Sequence, residues 1–151
     1  MQVINNEHVG TDWVTTVNYK DLIAIGTGGT KIIGTIPAGG GVEWAYVVKT
    51  IAAAGSTSVV LNVGTTLADP DEFIDALDAD GMTLNLPTFN TGDVMVQAAG
   101  TTTVLTGLQP AKLTATALPI YLKLTDAAVA SLTAGEWKIG IRIMDTLKFK
   151  S

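Results

Sequence analysis

The chain has 151 residues, of which 47% are hydrophobic and 15% charged, with no cysteine and a net charge of −5. The lack of cysteine excludes disulfides and thiolate metal sites. A negative chain with scattered Lys and Arg is a poor nucleic-acid binder, because phosphate neutralisation dominates that affinity.

A chain of this size buries roughly 68–70% of the surface it exposes when unfolded, enough for one domain with a real core. Its charged fraction lies below the ~25% usual for soluble domains. Low charge with high apolar content points to surface that is covered in the working state, since large apolar patches on proteins mark contacts. Met1–Val9 has no basic stretch leading into an apolar one, and no apolar run approaches the ~18–20 residues of a membrane-spanning helix. The expectation is therefore no membrane partner and no secretory signal.

In chain order, Met1–Asp21 carries no sustained period; Asn5, Asn6, Glu7 and Gly10 break it early, and Trp13, Val14, Val17 and Tyr19 supply scattered anchors. It reads as an extended N-terminal arm, or an arm ending in a first strand, with 22–151 as the folded domain. Leu22–Ile25 and Lys31–Ile36 read as short strands around the turn Gly26-Thr27-Gly28-Gly29-Thr30. After the break Ile36-Pro37-Ala38-Gly39-Gly40-Gly41, Val42–Ile51 alternates strictly. Val42, Trp44, Tyr46 and Val48 are expected on one face, and Glu43, Ala45, Val47, Lys49 and Ile51 on the other. Ser58–Val63 follows as a strand.

Asp69–Ala79 is the predicted helix: Asp69 caps, Pro70 takes the first helical position, Asp71 and Glu72 favour the positive end of the dipole, and Asp80-Gly81 ends it. Met82–Leu86, Asp93–Ala98, Lys112–Ala117, Ile120–Leu124 and Glu136–Asp145 complete the strands, with Thr101–Gly107 either strand or loop. Short alternating runs separated by Gly, Pro and Thr predict an all-β sandwich or barrel with one short helix.

The motifs that suggest chemistry fail on context. Leu22–Lys31, LIAIGTGGTK, places Lys31 where a dinucleotide fingerprint needs its third glycine, and Ile36-Pro37 denies the helix that must follow. A phosphate loop of the Walker type needs Gly directly before Lys, where Thr30 stands. A hairpin turn is the expectation. Asp78-Ala79-Asp80-Gly81 matches the start of a calcium loop, but no Glu closes the 12-residue span. His8 is the only histidine and lies in the arm, and no G-x-S-x-G elbow is present. No catalytic, cofactor-binding or metal residue is assigned. Trp44 and Trp137 sit in strong alternating strands and are expected in the core, while Trp13 is the freer contact candidate.

Thr30–Met144 resembles a β-sandwich domain of tailed-bacteriophage virion proteins. The resemblance lies in Gly34-Thr35-Ile36-Pro37-Ala38-Gly39-Gly40, the strand ending Lys49-Thr50, Val59 to Thr65 with the Asp69-Pro70-Asp71 that follows, and Gly135-Glu136-Trp137. A free-standing domain of this size is most similar to a capsid decoration, or cement, protein. That implies a jelly-roll-like sandwich without enzymatic activity or cofactor. It would form a homotrimer on the major capsid protein and sit on the virion surface, after synthesis in the host cytoplasm. An arm would reach onto a neighbour, which makes His8, Trp13, Val14 and Tyr19 the expected contact residues. The alternatives are another virion component, such as a head-fibre base or tail protein, and a carbohydrate-binding module.

Overall fold

The structure, a computed structural model, describes residues 10–38, 40–56, 58–89, 116–125 and 128–145. Among the described residues eight strands follow one another: β1 Gly10–Asn18, β2 Thr30–Ile36, β3 Gly40–Ala54, β4 Val60–Gly64, β5 Ile74–Asp78, β6 Thr88–Phe89, β7 Leu118–Leu124 and β8 Ala134–Asp145. A helix, α1, spans Tyr19–Ile25, and a 3₁₀ turn spans Val129–Ser131.

The pairing is nested and antiparallel throughout. β1 lies on β8, β2 on β7, β3 on β6 and β4 on β5. Two further seams, β3 with β8 and β4 with β7, roll this long hairpin up. The result is two four-stranded sheets, A in the order β1-β8-β3-β6 and B in the order β2-β7-β4-β5. Eight strands nested in this way form a jelly roll. The all-β sandwich with one short helix is present, but the helix is not where the sequence placed it.

Leu22–Ile25, read as a strand, belongs to α1. Asn18 caps that helix, its Oδ1 accepting from the Lys20 and Asp21 amides at 2.9 and 3.2 Å, while Asp21 Oδ2 accepts from the Asn18 amide at 3.0 Å. This reciprocal capping box outweighs the strand preference of a four-residue apolar run. Gly26 ends the helix at φ 76°, its amide donating to Leu22 O at 3.0 Å. The glycine turn is therefore a helix exit rather than a hairpin, and it is tied down by Gly28 N to Leu124 O at 2.7 Å.

Asp69–Ala79, read as a helix, is an irregular turn followed by β5. Phe73, Ile74 and Ala79 are all fully buried. The amides of Phe73 and Ala79 donate to Val63 and Val59 carbonyls across the sheet, at 2.9 and 2.8 Å. Ladder bonds to β4 and burial of both apolar ends outweigh a good capping sequence, which is only a local preference. Met82–Leu86 is a turn instead of a strand; Asn85 there has φ 60°, a value strands do not use. Asp93–Ala98, Thr101–Gly107 and residues 112–115 lie outside the described residues.

The faces of β3 also differ from strict alternation. Its register against β8 shifts between Val42 and Trp44. One extra residue in a strand turns everything beyond it to the other face. Val42 therefore shares the buried side with Ala45, Val47 and Lys49, while Trp44 is half-buried, packed against the edge of the core and not within it as expected. Trp137 is fully buried, with Ile139 and Ile141 along β8, facing Ile120, Leu122 and Leu124 of β7 and Leu61 and Val63 of β4. Each such side chain contributes about 1.5–3 kcal/mol relative to exposure.

Two polar groups stitch the sheets together at one end. The Trp137 indole N–H donates to Ala79 O at 2.9 Å, and the Lys49 ammonium donates to Asp80 O at 2.5 Å, with Lys49 only 8% exposed. Both reach from sheet A to the chain leaving β5 in sheet B. A buried donor without a partner costs its desolvation, so these bonds fix where that chain runs.

Two local devices shape sheet B. Glu72, 7% exposed, accepts from the Thr65 amide at 2.8 Å, the Thr65 hydroxyl at 3.1 Å and the Thr66 amide at 3.4 Å, and also from the Thr66 hydroxyl. A Cβ on Gly64 would lie 1.9 Å from Glu72 Oε2, so only glycine admits the carboxylate there. Opposite, Leu61 pairs with Leu77 and Val63 with Ile74, leaving Asn62 against both Asp75 and Ala76. Asn62 Oδ1 accepts from the Ala76 amide at 3.1 Å, holding Ala76 at φ 43°.

Glu72→Ala is expected to lose about 1–3 kcal/mol of stability in urea unfolding, because it removes the charged acceptor that holds the Thr65 and Thr66 amides and hydroxyls. Asp69→Ala, an exposed acid 3.9 Å from the Lys123 ammonium, is expected to change little. Equal effects from the two would contradict the role given to Glu72. Ala76→Gly is expected to gain stability, by about 1 kcal/mol, by relieving the left-handed backbone; a loss would contradict that conformation.

Candidate functional site

The four expected contact residues are not brought together. His8 lies outside the described residues. Trp13 and Val14 are neighbours on β1 and so face opposite ways. Trp13 turns inward, half-buried against the core, with its ring over Gly34 of β2; a Cβ there would sit 3.1 Å from the indole. It closes the edge where β1 and β2 meet. Val14 turns outward and is 47% exposed. Tyr19 opens α1, half-buried, with the Lys20 ammonium 5.8 Å from its ring centre.

What the structure does assemble is the outer face of sheet A. Register places Val14 beside Gly140, Gly140 beside Tyr46, and Tyr46 beside Phe89. This row crosses all four strands. The Tyr46 ring lies flat on Gly140, where a Cβ would fall 2.0 Å from the ring. Phe89, 52% exposed, adds a second ring 5.6 Å away at 47°.

Charged residues flank the row along β8. Arg142, two residues to one side of Gly140, lies 4.8 Å from the Trp44 ring. Lys138, two residues to the other side, pairs in register with Val48. An aromatic row with a guanidinium stacked beside it is the composition expected of a candidate contact face. Trp44 and Phe89 belong to this face and were missed in the sequence. The bulge that sends Trp44 outward leaves no mark in the hydrophobic pattern, and β6 is only two residues long.

At the far end of the same face, a shallow groove of about 270 Å³ is lined by Asn18, Tyr19, Lys20, Ile51, Ala134, Gly135 and Glu136. Glu136 accepts there from the Thr50 hydroxyl at 2.8 Å. The acids of the 69–80 run are spread over separate partners: Glu72 on the threonines, Asp75 on Asn62, Asp78 on the Gly81 amide. Among the described residues no three metal-ligating side chains converge.

No protein-family model matches the chain, and no curated protein matches it in sequence. Solved structures do match in fold. One is a chain in the cyanophage Pam1 capsid asymmetric unit, with a TM-score of 0.55 at 15% identity, covering 89% of this chain and 84% of the other. Another is a chain in the capsid of Ralstonia phage GP4, with a TM-score of 0.50 at 11% identity, covering 91% and 85%. At such identities the likeness is one of fold, carried on different side chains.

Gly140→Ala is expected to lift the Tyr46 ring off the sheet and cost about 1 kcal/mol in urea unfolding, as a small overpacking change does. In a Tyr46→Ala background the same substitution should cost almost nothing. Additive costs in the double variant would remove the ring from Gly140.

Proposed function

We propose that this chain is a non-enzymatic structural component of a bacteriophage virion, a decoration protein that binds the outside of the capsid and stabilises the head. The observation that carries this reading is the jelly roll itself, shared over about nine-tenths of the chain with chains of two phage capsid structures. Fold likeness alone does not fix function. Two features of the chain give independent support. Glu72, the most buried of the described acids, holds a loop through Thr65 and Thr66, and one outer face presents the exposed ring of Phe89 beside the half-buried Tyr46. On this reading the partners are the major capsid protein and further copies of the chain, as a homotrimer, on the virion surface.

Cement function needs many modest contacts repeated around a symmetric shell, where repetition multiplies affinity without any single strong site. Val14 and Tyr19 are the proposed contact residues with accessible surface. Trp13 contributes through the part of its ring left open, and by holding β1 against β2. A carbohydrate-binding module is the second reading, favoured by the Tyr46–Phe89 pair, since aromatic rings offer apolar faces for stacking.

Purified protein is expected to add saturably to empty shells of the major capsid protein and to raise their melting temperature. A chain that neither cosediments with shells nor alters their melting, while retaining a glycan in an array screen, would overturn the decoration reading in favour of the module.

A further inference from the structure

Among the described residues one buried cation lacks a counter-charge. Lys49 is 8% exposed, and its ammonium donates to the main-chain carbonyl of Asp80 at 2.5 Å. No carboxylate among the described residues, that of Asp80 included, lies within ion-pair reach of it. A buried ammonium met by a neutral carbonyl alone retains much of its desolvation cost.

The residue after that carbonyl is Gly81. Asp80-Gly81 is the only Asp-Gly step in the sequence, which has no Asn-Gly. A glycine after aspartate leaves its amide nitrogen open to the aspartate side chain, because no Cβ stands in the way. Gly81 is exposed, and its N–H donates to Asp78 Oδ1 at 3.0 Å, so the proton that must leave has an acceptor in place. A Cβ on Gly81 would lie 2.5 Å from Asp78 Oδ2, so this turn itself requires the glycine. The Asp80 carboxyl makes no hydrogen bond or ion pair among the described residues and is free to swing toward the Gly81 nitrogen. The Lys49 ammonium stabilises the negative charge that builds on Asp80 O as the Gly81 N–H gives up its proton.

We infer that Asp80-Gly81 is a self-modification site, where the peptide link passes through a succinimide to a β-aspartyl linkage that gives Lys49 a carboxylate partner. The Gly81 nitrogen attacks Cγ of the protonated Asp80 carboxyl. The N–Cγ bond forms, the Cγ–OH bond breaks, and the amide proton and the hydroxyl leave as one water. Nothing is oxidised or reduced. Water then opens the ring at either carbonyl. Opening at Cγ restores the original chain. Opening at the main-chain carbonyl leaves Gly81 joined through Cγ, and Asp80 O becomes part of a free carboxylate. That oxygen is the one Lys49 already holds, so a full charge replaces a dipole beside the buried ammonium. The main chain gains one carbon at this point. Gly81 and residues 83–87 are exposed and have room to absorb it, while Ala79 upstream stays fixed by its bonds to Trp137 and Val59.

The test stores the full chain folded in mildly acidic buffer, beside the same chain unfolded in guanidinium chloride. The β-aspartyl linkage at Asp80 is followed by peptide mapping and by methyl transfer from an isoaspartyl methyltransferase. The folded chain is expected to reach a higher final share of the linkage than the unfolded chain, through a species lighter by one water. Its melting temperature should rise in step. Lys49→Met keeps the side-chain length without the charge, and should lower the final ratio of the two linkages about fivefold. Asp80→Glu, which needs a six-membered ring, should not convert, and its melting temperature should stay constant on storage.

A folded wild type that stays unmodified while the unfolded chain converts means that the fold protects this bond, and overturns the inference. A folded Lys49→Met variant that converts as far as the wild type shows that the buried cation does not drive the step, and overturns it equally. If Lys49→Met does not fold, the comparison of folded with unfolded wild type decides.

Discussion

The structure depends on β8. This strand pairs along most of its length with two neighbours, β1 on one side and β3 on the other. Its inward residues Trp137, Ile139 and Ile141 are all fully buried. The Trp137 indole then reaches out of its own sheet to the Ala79 carbonyl. One strand thereby sets the register of sheet A, fills the core and anchors the chain that leaves sheet B. The nested pairing forces this arrangement: the last strand must return to the first before the roll can close.

Because the inward side of β8 is committed to the core, its outward side is free for a flatter chemistry. Gly140 lies at the centre of that side and lets Tyr46 cross the strand without standing up from it. Arg142 and Lys138 fall on the same side by simple alternation. The bulge in β3 then brings Trp44 to meet Arg142 instead of entering the core. Inward packing thus fixes the strand's orientation and with it the set of side chains on the outer face.

Several parts of this were legible in the residues. The long strands Val42–Ile51 and Glu136–Asp145 lie within β3 and β8, since sustained alternation over many residues has no competing reading. Ile36-Pro37 is incompatible with the helix that a nucleotide loop requires. Other parts were illegible for identifiable reasons. Asn18 and Asp21 cap α1 across a boundary that the hydrophobic pattern does not mark. Asp69-Pro70-Asp71-Glu72 has the composition of a helix start, yet Glu72 is spent on Thr65 and Thr66, seven and six residues away, instead of on its own helix.

The sequence by itself determined an all-β chain without cysteine chemistry and its principal long strands. Those properties follow from composition and period, which act locally along the chain. Only the tertiary structure decided which face each residue occupies, that Asp69–Ala79 is turn and strand, and that Val14, Tyr46 and Phe89 form one row. The reason is that a bulge of one residue reverses every face beyond it. The energy that selects the bulge comes from partners distant in sequence.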